Sequence, residues 1–166
     1  LFPGPGYGGS YFPKDVQALL RTATEAGAAL EVVAAVERAN AQQKLASVSR
    51  VRAALGGRLE GRRVAIWGLA FKANTDDMRE SPALTVIDEL LRGGASVIAH
   101  DPEAIPEAQR RLGTRIDYAE AMYDAVDGAD ALVVLTDWNV YRNPDFARIR
   151  RVMRAAVLVD LRNLYD

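Results

Sequence analysis

The sequence predicts an α/β fold: a Rossmann-like parallel sheet domain preceded by the long helices of a central helical region. Three observations predict it. Short apolar runs, VAIWGL (64–69), SVIAH (96–100), ALVVLT (131–136) and AVLVD (156–160), alternate with helical patterns. Such runs are continuous rather than alternating in apolarity, which marks strands covered on both faces, as in a parallel sheet. An apolar stripe at three- and four-residue steps also runs through residues 30–56, the mark of one long helix. Glycines then close the helices, at Gly27, at Gly56 and Gly57, and at Gly93 and Gly94.

Each element has its own reason. Residues 1–12 form a loop, with Gly4, Gly6, Gly8 and Gly9 set among Pro3 and Pro5. Pro13 suits the first turn of a helix, where its missing N–H costs nothing, and Asp15 in that turn complements the helix dipole. This helix is expected over 13–26. The next, over 30–56, carries Leu30, Val33, Ala34, Ala41, Leu45, Val48, Val51 and Leu55 on one stripe. Its apolar face exceeds what a small domain needs, so pairing with the same helix of a second copy is expected. From residue 61 strands alternate with helices at 81–92, 103–112, 118–126 and 145–154. Ser81 is the expected N-cap of the first of these, and Pro82 takes its first position. Two units follow: a glycine loop with central helices over 1–57, and a sheet domain over 61–166.

Composition narrows the function classes. The chain has 166 residues, about half of them hydrophobic and a quarter charged, with a formal net charge of −1. That is ordinary globular composition, and no global field steers it to nucleic acid or to an anionic membrane. It contains no cysteine, which excludes a disulfide framework, a thiolate metal site and a cysteine nucleophile. No apolar run approaches the roughly 18 residues a membrane span needs. No basic stretch followed by an apolar core opens the chain, so no signal peptide is read and the cytoplasm is the expected compartment. The chain starts on Leu1 and runs straight into its glycine loop, from which a fragment of a larger protein is expected.

In open α/β sheets ligands bind beyond the carboxyl ends of the strands. Lys72, Asn74, Thr75 and Arg79 follow the first predicted strand, and Arg162 and Asn163 follow the last. Cations converging there suit phosphate or carboxylate ligands. The dinucleotide fingerprint G-x-G-x-x-G is absent after VAIWG, which argues against this sheet being a dinucleotide domain. The amino-terminal glycine loop feeds a helix start, where backbone N–H groups hold an anion; a plain tight turn is the other reading.

Three strings carry a resemblance. GPGYGGSYFPKD resembles the GxGxGGSCFPKD string of nucleotide-sugar dehydrogenases, GLAFKANTDDMRESP resembles their GLAFKxNTDDMRESP string, and DLRNLYD resembles DGRNLYD. The match runs in order over the whole chain and is closest to the UDP-glucose branch of the UDP-glucose/GDP-mannose dehydrogenase family. What the resemblance implies is a carboxy-terminal part: central helices, then a UDP-sugar-binding domain, with the NAD-binding domain lying on a separate amino-terminal portion. It implies that Tyr7 and Gly8 line the sugar-nucleotide site and that Lys72 and Arg162 contact the substrate. It also implies that Lys14 and Asp15 belong to the catalytic set and that Arg79 reaches NAD. Tyr11 falls where the family keeps its cysteine nucleophile, and Leu161 where it keeps a glycine. Each residue has a plainer reading beside this one. Asp15 is a first-turn helix acid, Lys14 a solvated charge, Lys72 and Arg79 loop cations, and Arg162 a partner of Asp160 or Asp166. Asn40 and Gln43 read as structural, His100 as an exposed or capping residue, and Trp67 and Trp138 as core or pocket wall.

The family reaction oxidises a primary alcohol to a carboxylate in two hydride transfers to NAD, by way of a thiohemiacetal and a thioester. That route needs a nucleophile that is good at neutral pH and leaves well. A thiol with pKa ~8.5 qualifies. A phenol with pKa ~10 is bulkier and almost wholly protonated at neutral pH. The expectation is therefore a UDP-sugar-binding, homodimer-forming part without dehydrogenase activity of its own. A non-catalytic regulatory or scaffolding paralogue is the alternative, and a stand-alone flavodoxin-like nucleotide module the third.

Overall fold

The computed structural model describes residues 4–165. Two helices lead. α1 spans Phe12–Glu25 and α2 spans Glu31–Ala54. Pro13 sits in the first turn of α1 with Asp15, as the sequence predicts. A five-stranded sheet follows, with β1 Arg63–Trp67, β2 Ser96–His100, β3 Asp117–Tyr118, β4 Ala131–Val134 and β5 Leu158–Asp160. Helices α3 (Pro82–Arg92), α4 (Ile105–Leu112), α5 (Met122–Val126) and α6 (Phe146–Val152) connect them. The Ser81 hydroxyl caps α3 by accepting from the Ala83 N–H at 3.2 Å.

The strands lie in the order β3-β2-β1-β4-β5, with every pairing parallel. Strand order therefore reverses between β1 and β4, the position where ligands enter such sheets. Alternation along β1 splits the core. Val64 and Ile66 pack with α2, α3 and α4 on one face, while Ala65 and Trp67 pack with α5 and α6 on the other. Both faces are covered, which is why the strands read as continuous apolar runs.

The helix over 118–126, the exposed or capping His100 and the pairing of Arg162 with Asp160 are corrected, while the surplus apolar face expected on α2 is present. Residues 118–126 are not one helix: Tyr118 ends a two-residue strand, and α5 begins only at Met122. The stripe of α2 is only partly buried. Val48, Val51 and Leu55 enter the core, whereas Leu45 is half exposed and Ala41 is exposed. The first half of α2 meets α1 through Glu37 and Gln17 and the glycine loop through Asn40 and Tyr7. His100 is neither exposed nor a cap. It ends β2, is 8 % exposed, and its Nδ1 lies 2.8 Å from the Tyr141 hydroxyl, which donates to the His100 carbonyl at 3.0 Å. Burial pushes its pKa down, against the nearby carboxylates of Asp101 and Asp124. Arg162 does not pair its guanidinium with Asp160, the expected partner among the described residues. Its guanidinium binds Asp137 at 2.7 Å, and only its backbone N–H reaches Asp160. Asp166, the other expected partner, lies outside the described residues, as does Pro3 of the loop. Leu161 is buried in the core.

Asp101 binds the switch region together. It is 2 % exposed and accepts five N–H groups. Its Oδ2 takes those of Leu69 at 2.7 Å, Ala70 at 3.1 Å and the Trp138 indole at 3.2 Å. Its Oδ1 takes those of Glu103 at 3.0 Å and Ala104 at 2.9 Å. One buried carboxylate thus fixes the exits of β1, β2 and β4, and its charge is met by donors as buried charges require.

Candidate functional site

The glycine loop over residues 4–11 is held by one face of α2. Glu37, Asn40, Gln43 and Lys44 recur at helical spacing and all point at it. The Gln43 amide donates to the Gly4 carbonyl at 2.7 Å, and Asn40 bonds both the N–H and the carbonyl of Tyr7. The Tyr7 hydroxyl donates to Glu37, and its ring packs edge-on against Phe12 at 4.8 Å. Burial first, then Glu37, pushes the Tyr7 phenol up to about 12. Asn40 and Gln43 are structural, as the sequence suggested. Lys44 is a cation the sequence reading missed. It is 8 % exposed, donates to the Glu80 carbonyl at 3.1 Å and lies 3.5 Å from the Glu80 carboxylate. A lone lysine inside an apolar stripe carries no sequence signal for such a contact.

The loop and the segment after β1 are locked together. The Gly9 N–H donates to the Arg79 carbonyl at 2.8 Å. A Cβ on Gly8 would stand 2.3 Å from the Glu80 carbonyl oxygen, so no side chain fits there. This contact carries Tyr11 and the start of α1 to the segment that bears Arg79.

A cleft of about 420 Å³ opens at that seam. Tyr11, Lys14 and Arg79 line it, joined by Arg111 of α4. Tyr11 is 72 % exposed, and the Lys14 ammonium sits over its ring, 4.9 Å from the centroid. Arg79 is gripped by Asp77 through Nε at 3.0 Å and Nη2 at 2.8 Å. That hydrogen bond holds the Asp77 carboxyl below the ordinary range, so the pair stays charged. The structure thus brings Tyr11, Lys14 and Arg79 to one place. Asp15, exposed on the first turn of α1, does not line this cleft, nor do Lys72 and Arg162. Lys72 is exposed, 5.4 Å from the ring of its neighbour Phe71. Arg162 stands behind Gly4, where an added Cβ would meet its Nη1 at 3.0 Å.

NAD needs a pyrophosphate turn, and the segment after β1 offers none. After Gly68 the chain reads Leu69-Ala70-Phe71-Lys72, and α3 starts only at Pro82. Gly68 itself is filled in, because a Cβ there would lie 2.4 Å from the Thr136 Cβ. The sheet therefore does not fit the cofactor's pyrophosphate. Among the described residues no helix is long and apolar enough to cross a membrane.

Known proteins share this architecture. Residues 65–166 match the model of the UDP-glucose/GDP-mannose dehydrogenase family, UDP binding domain, and residues 1–42 match that family's central domain. The chain is 48 % identical to a UDP-glucose 6-dehydrogenase of Pseudomonas aeruginosa over 99 % of its own length, and 46 % identical to that of Rhizobium meliloti, also over 99 %. It spans about 38 % of the length of each of these relatives. Among solved structures, a UDP-glucose dehydrogenase from Pyrobaculum islandicum superposes with a TM-score of 0.87 at 37 % identity, covering 97 % of this chain and 35 % of that one. An NDP-N-acetyl-D-galactosaminuronic acid dehydrogenase from Methanosarcina mazei also gives 0.87, at 28 % identity, covering 100 % of this chain and 36 % of that one. With its fold, its three sequence strings and a family model over most of its length in agreement, the chain belongs to the UDP-glucose/GDP-mannose dehydrogenase family, as a counterpart of its carboxy-terminal part.

Proposed function

We propose that this chain supplies the UDP-sugar-binding and dimer-forming part of an NAD-dependent UDP-glucose 6-dehydrogenase, and that Tyr11 denies it the family's thiol chemistry. The observation that carries the proposal is the match of residues 65–166 to a UDP binding domain, together with the cationic cleft that Tyr11 enters. In this reading Tyr7, Gly8, Lys72 and Arg162 serve the nucleotide sugar, Arg79 faces NAD held by an amino-terminal domain, and Lys14 and Asp15 keep their places beside a lost nucleophile. A phenol with pKa ~10 is almost wholly protonated at neutral pH and bulkier than a thiol, so it is a poor replacement for the nucleophile. The chain has no thiol elsewhere to substitute.

The pairing surface is the outer side of the leading helices. Val32 and Val36, one turn apart on α2, are exposed apolar residues suited to a second copy; Leu45 of α2 and Leu19 of α1 are exposed as well.

Calorimetric titration of UDP, UDP-glucose and NAD, with NADH formation followed optically, tests the reading. UDP and UDP-glucose binding without NADH formation is expected. A scaffolding role is the second reading, favoured by the Tyr11 ring standing in the cleft; binding of no nucleotide selects it. Turnover of UDP-glucose contradicts both.

A further inference from the structure

The cleft holds one cation that no family string carries. Arg111 lies on α4, an element with no glycine loop and no signature string, yet it lines the same wall as Lys14 and Arg79 and feels the charge of Asp77, the anchor of Arg79. Glu107, one turn earlier, accepts from the Arg111 Nε at 2.5 Å and from the Arg110 Nη2 at 2.6 Å. These bonds hold the Glu107 carboxyl below the ordinary range, Arg110 contributing most. Only Nε of Arg111 is engaged. Among the described residues both of its Nη groups lack a partner. Arg79 is held in the same way, by Nε and Nη2 on Asp77, with Nη1 left over. Among the described residues the Lys14 ammonium meets only the Tyr11 ring. The single carboxylate on the cleft wall, Glu80, is paired with Lys44.

Three cations from three separate elements therefore present unused N–H donors to one opening, and two of them are guanidinium groups anchored from behind. Anchored, planar, doubly donating groups suit the oxygens of phosphate, and anchoring lowers the entropy lost on binding. We propose that Arg111 is a third phosphate-binding residue of this cleft, gripping the pyrophosphate of a nucleotide together with Arg79 and Lys14. The proposal rests on the nucleotide-binding reading given above and adds a residue to it.

The test is calorimetric titration of the whole chain with inorganic pyrophosphate, UDP and NAD, using Arg111→Gln, Arg111→Lys, Arg79→Gln and Arg110→Gln. Arg110 shares Glu107 but does not line the cleft, so it controls for general charge. Loss of one charge-assisted contact is expected to weaken binding about tenfold in Arg111→Gln. Arg111→Lys should recover part of this, and Arg110→Gln should stay within about twofold of the parent. Circular dichroism on each variant separates lost binding from lost folding. If the parent binds and Arg79→Gln weakens it while Arg111→Gln does not, the role of Arg111 is overturned and the broader reading stands. Equal weakening by Arg110→Gln and Arg111→Gln also overturns it, as a bulk charge effect. No binding of any ligand by the parent overturns the broader reading and this one together. The arm that responds identifies the source of the phosphate: UDP for the sugar nucleotide, NAD for the cofactor, pyrophosphate alone for the shared chemistry.

Discussion

Asn40 holds Tyr7 from both sides. Its Oδ1 accepts the Tyr7 N–H at 2.8 Å, and its Nδ2 donates to the Tyr7 carbonyl at 3.3 Å. One side chain of the central helix thus does what a neighbouring strand would do, and the glycine loop needs no secondary structure of its own. Replacing Asn40 by Leu removes both bonds and leaves a partly buried N–H and C=O unmet. A loss of about 1–3 kcal/mol is expected, measured by denaturant unfolding. Weaker nucleotide binding should accompany it, because the loop carries Tyr11 to the cleft.

Gly8 is predicted to accept no replacement. Alanine there places Cβ 2.3 Å from the Glu80 carbonyl oxygen, a backbone atom that cannot swing aside. Gly8→Ala should separate the loop from the segment after β1 and break the bond from the Gly9 N–H to the Arg79 carbonyl. Hydrogen exchange at Gly9 is the direct readout: fast in the variant, protected in the parent.

Tyr7 gives a pH signature. Its phenol is raised from 10.0 to about 12, first by burial and then by Glu37. The folded state thus favours the neutral phenol. The stabilisation is fully present below pH 10 and is lost as pH rises through about 12. In an ultraviolet titration Tyr7→Phe should remove a late-ionising tyrosine, and Glu37→Gln should bring that ionisation to lower pH by removing the carboxylate charge. An unchanged late transition in Tyr7→Phe contradicts the assignment.

Asp101→Ala should be among the most destabilising single changes in the chain. It leaves five N–H groups without their acceptor where the strands end, and a loss of about 3 kcal/mol or more is expected in denaturant unfolding. Asp101→Asn should recover little, because its amide presents hydrogens to donors on one side.

Pairing has its own test. Val32→Glu and Val36→Glu place charges on neighbouring exposed apolar positions of α2 and should yield a monomer by analytical ultracentrifugation, with the fold intact by circular dichroism.

Much of this was legible in the sequence, for reasons that differ by element. β1, β2 and β4 are legible because both of their faces are buried, and β5, half exposed at the sheet edge, because its apolar run is unbroken up to Asp160. β3 was missed because two residues, Asp117 and Tyr118, form it at the sheet edge, where an exposed acid and a half-buried ring carry no strand pattern. The stripe of α2 marks a helix with more apolar face than the sheet covers, and Leu45 remains half exposed, although periodicity alone does not say which end of the stripe is covered. Tyr11, Lys14 and Arg79 were found through their strings. Arg111 and Lys44 were not, because a cation on a short helix, or alone in a stripe, looks like any solvated charge until the chain is folded. His100 showed the reverse: a histidine at a strand end reads as surface, and only Tyr141 folding over it reveals a buried one.

The proposed function has this chain binding the nucleotide sugar without oxidising it. Calorimetric titration of UDP-glucose in the presence of NAD, with NADH absorbance recorded on the same sample, tests both halves. The account predicts saturable binding and no NADH. NADH formation, or no binding of UDP-glucose, contradicts it.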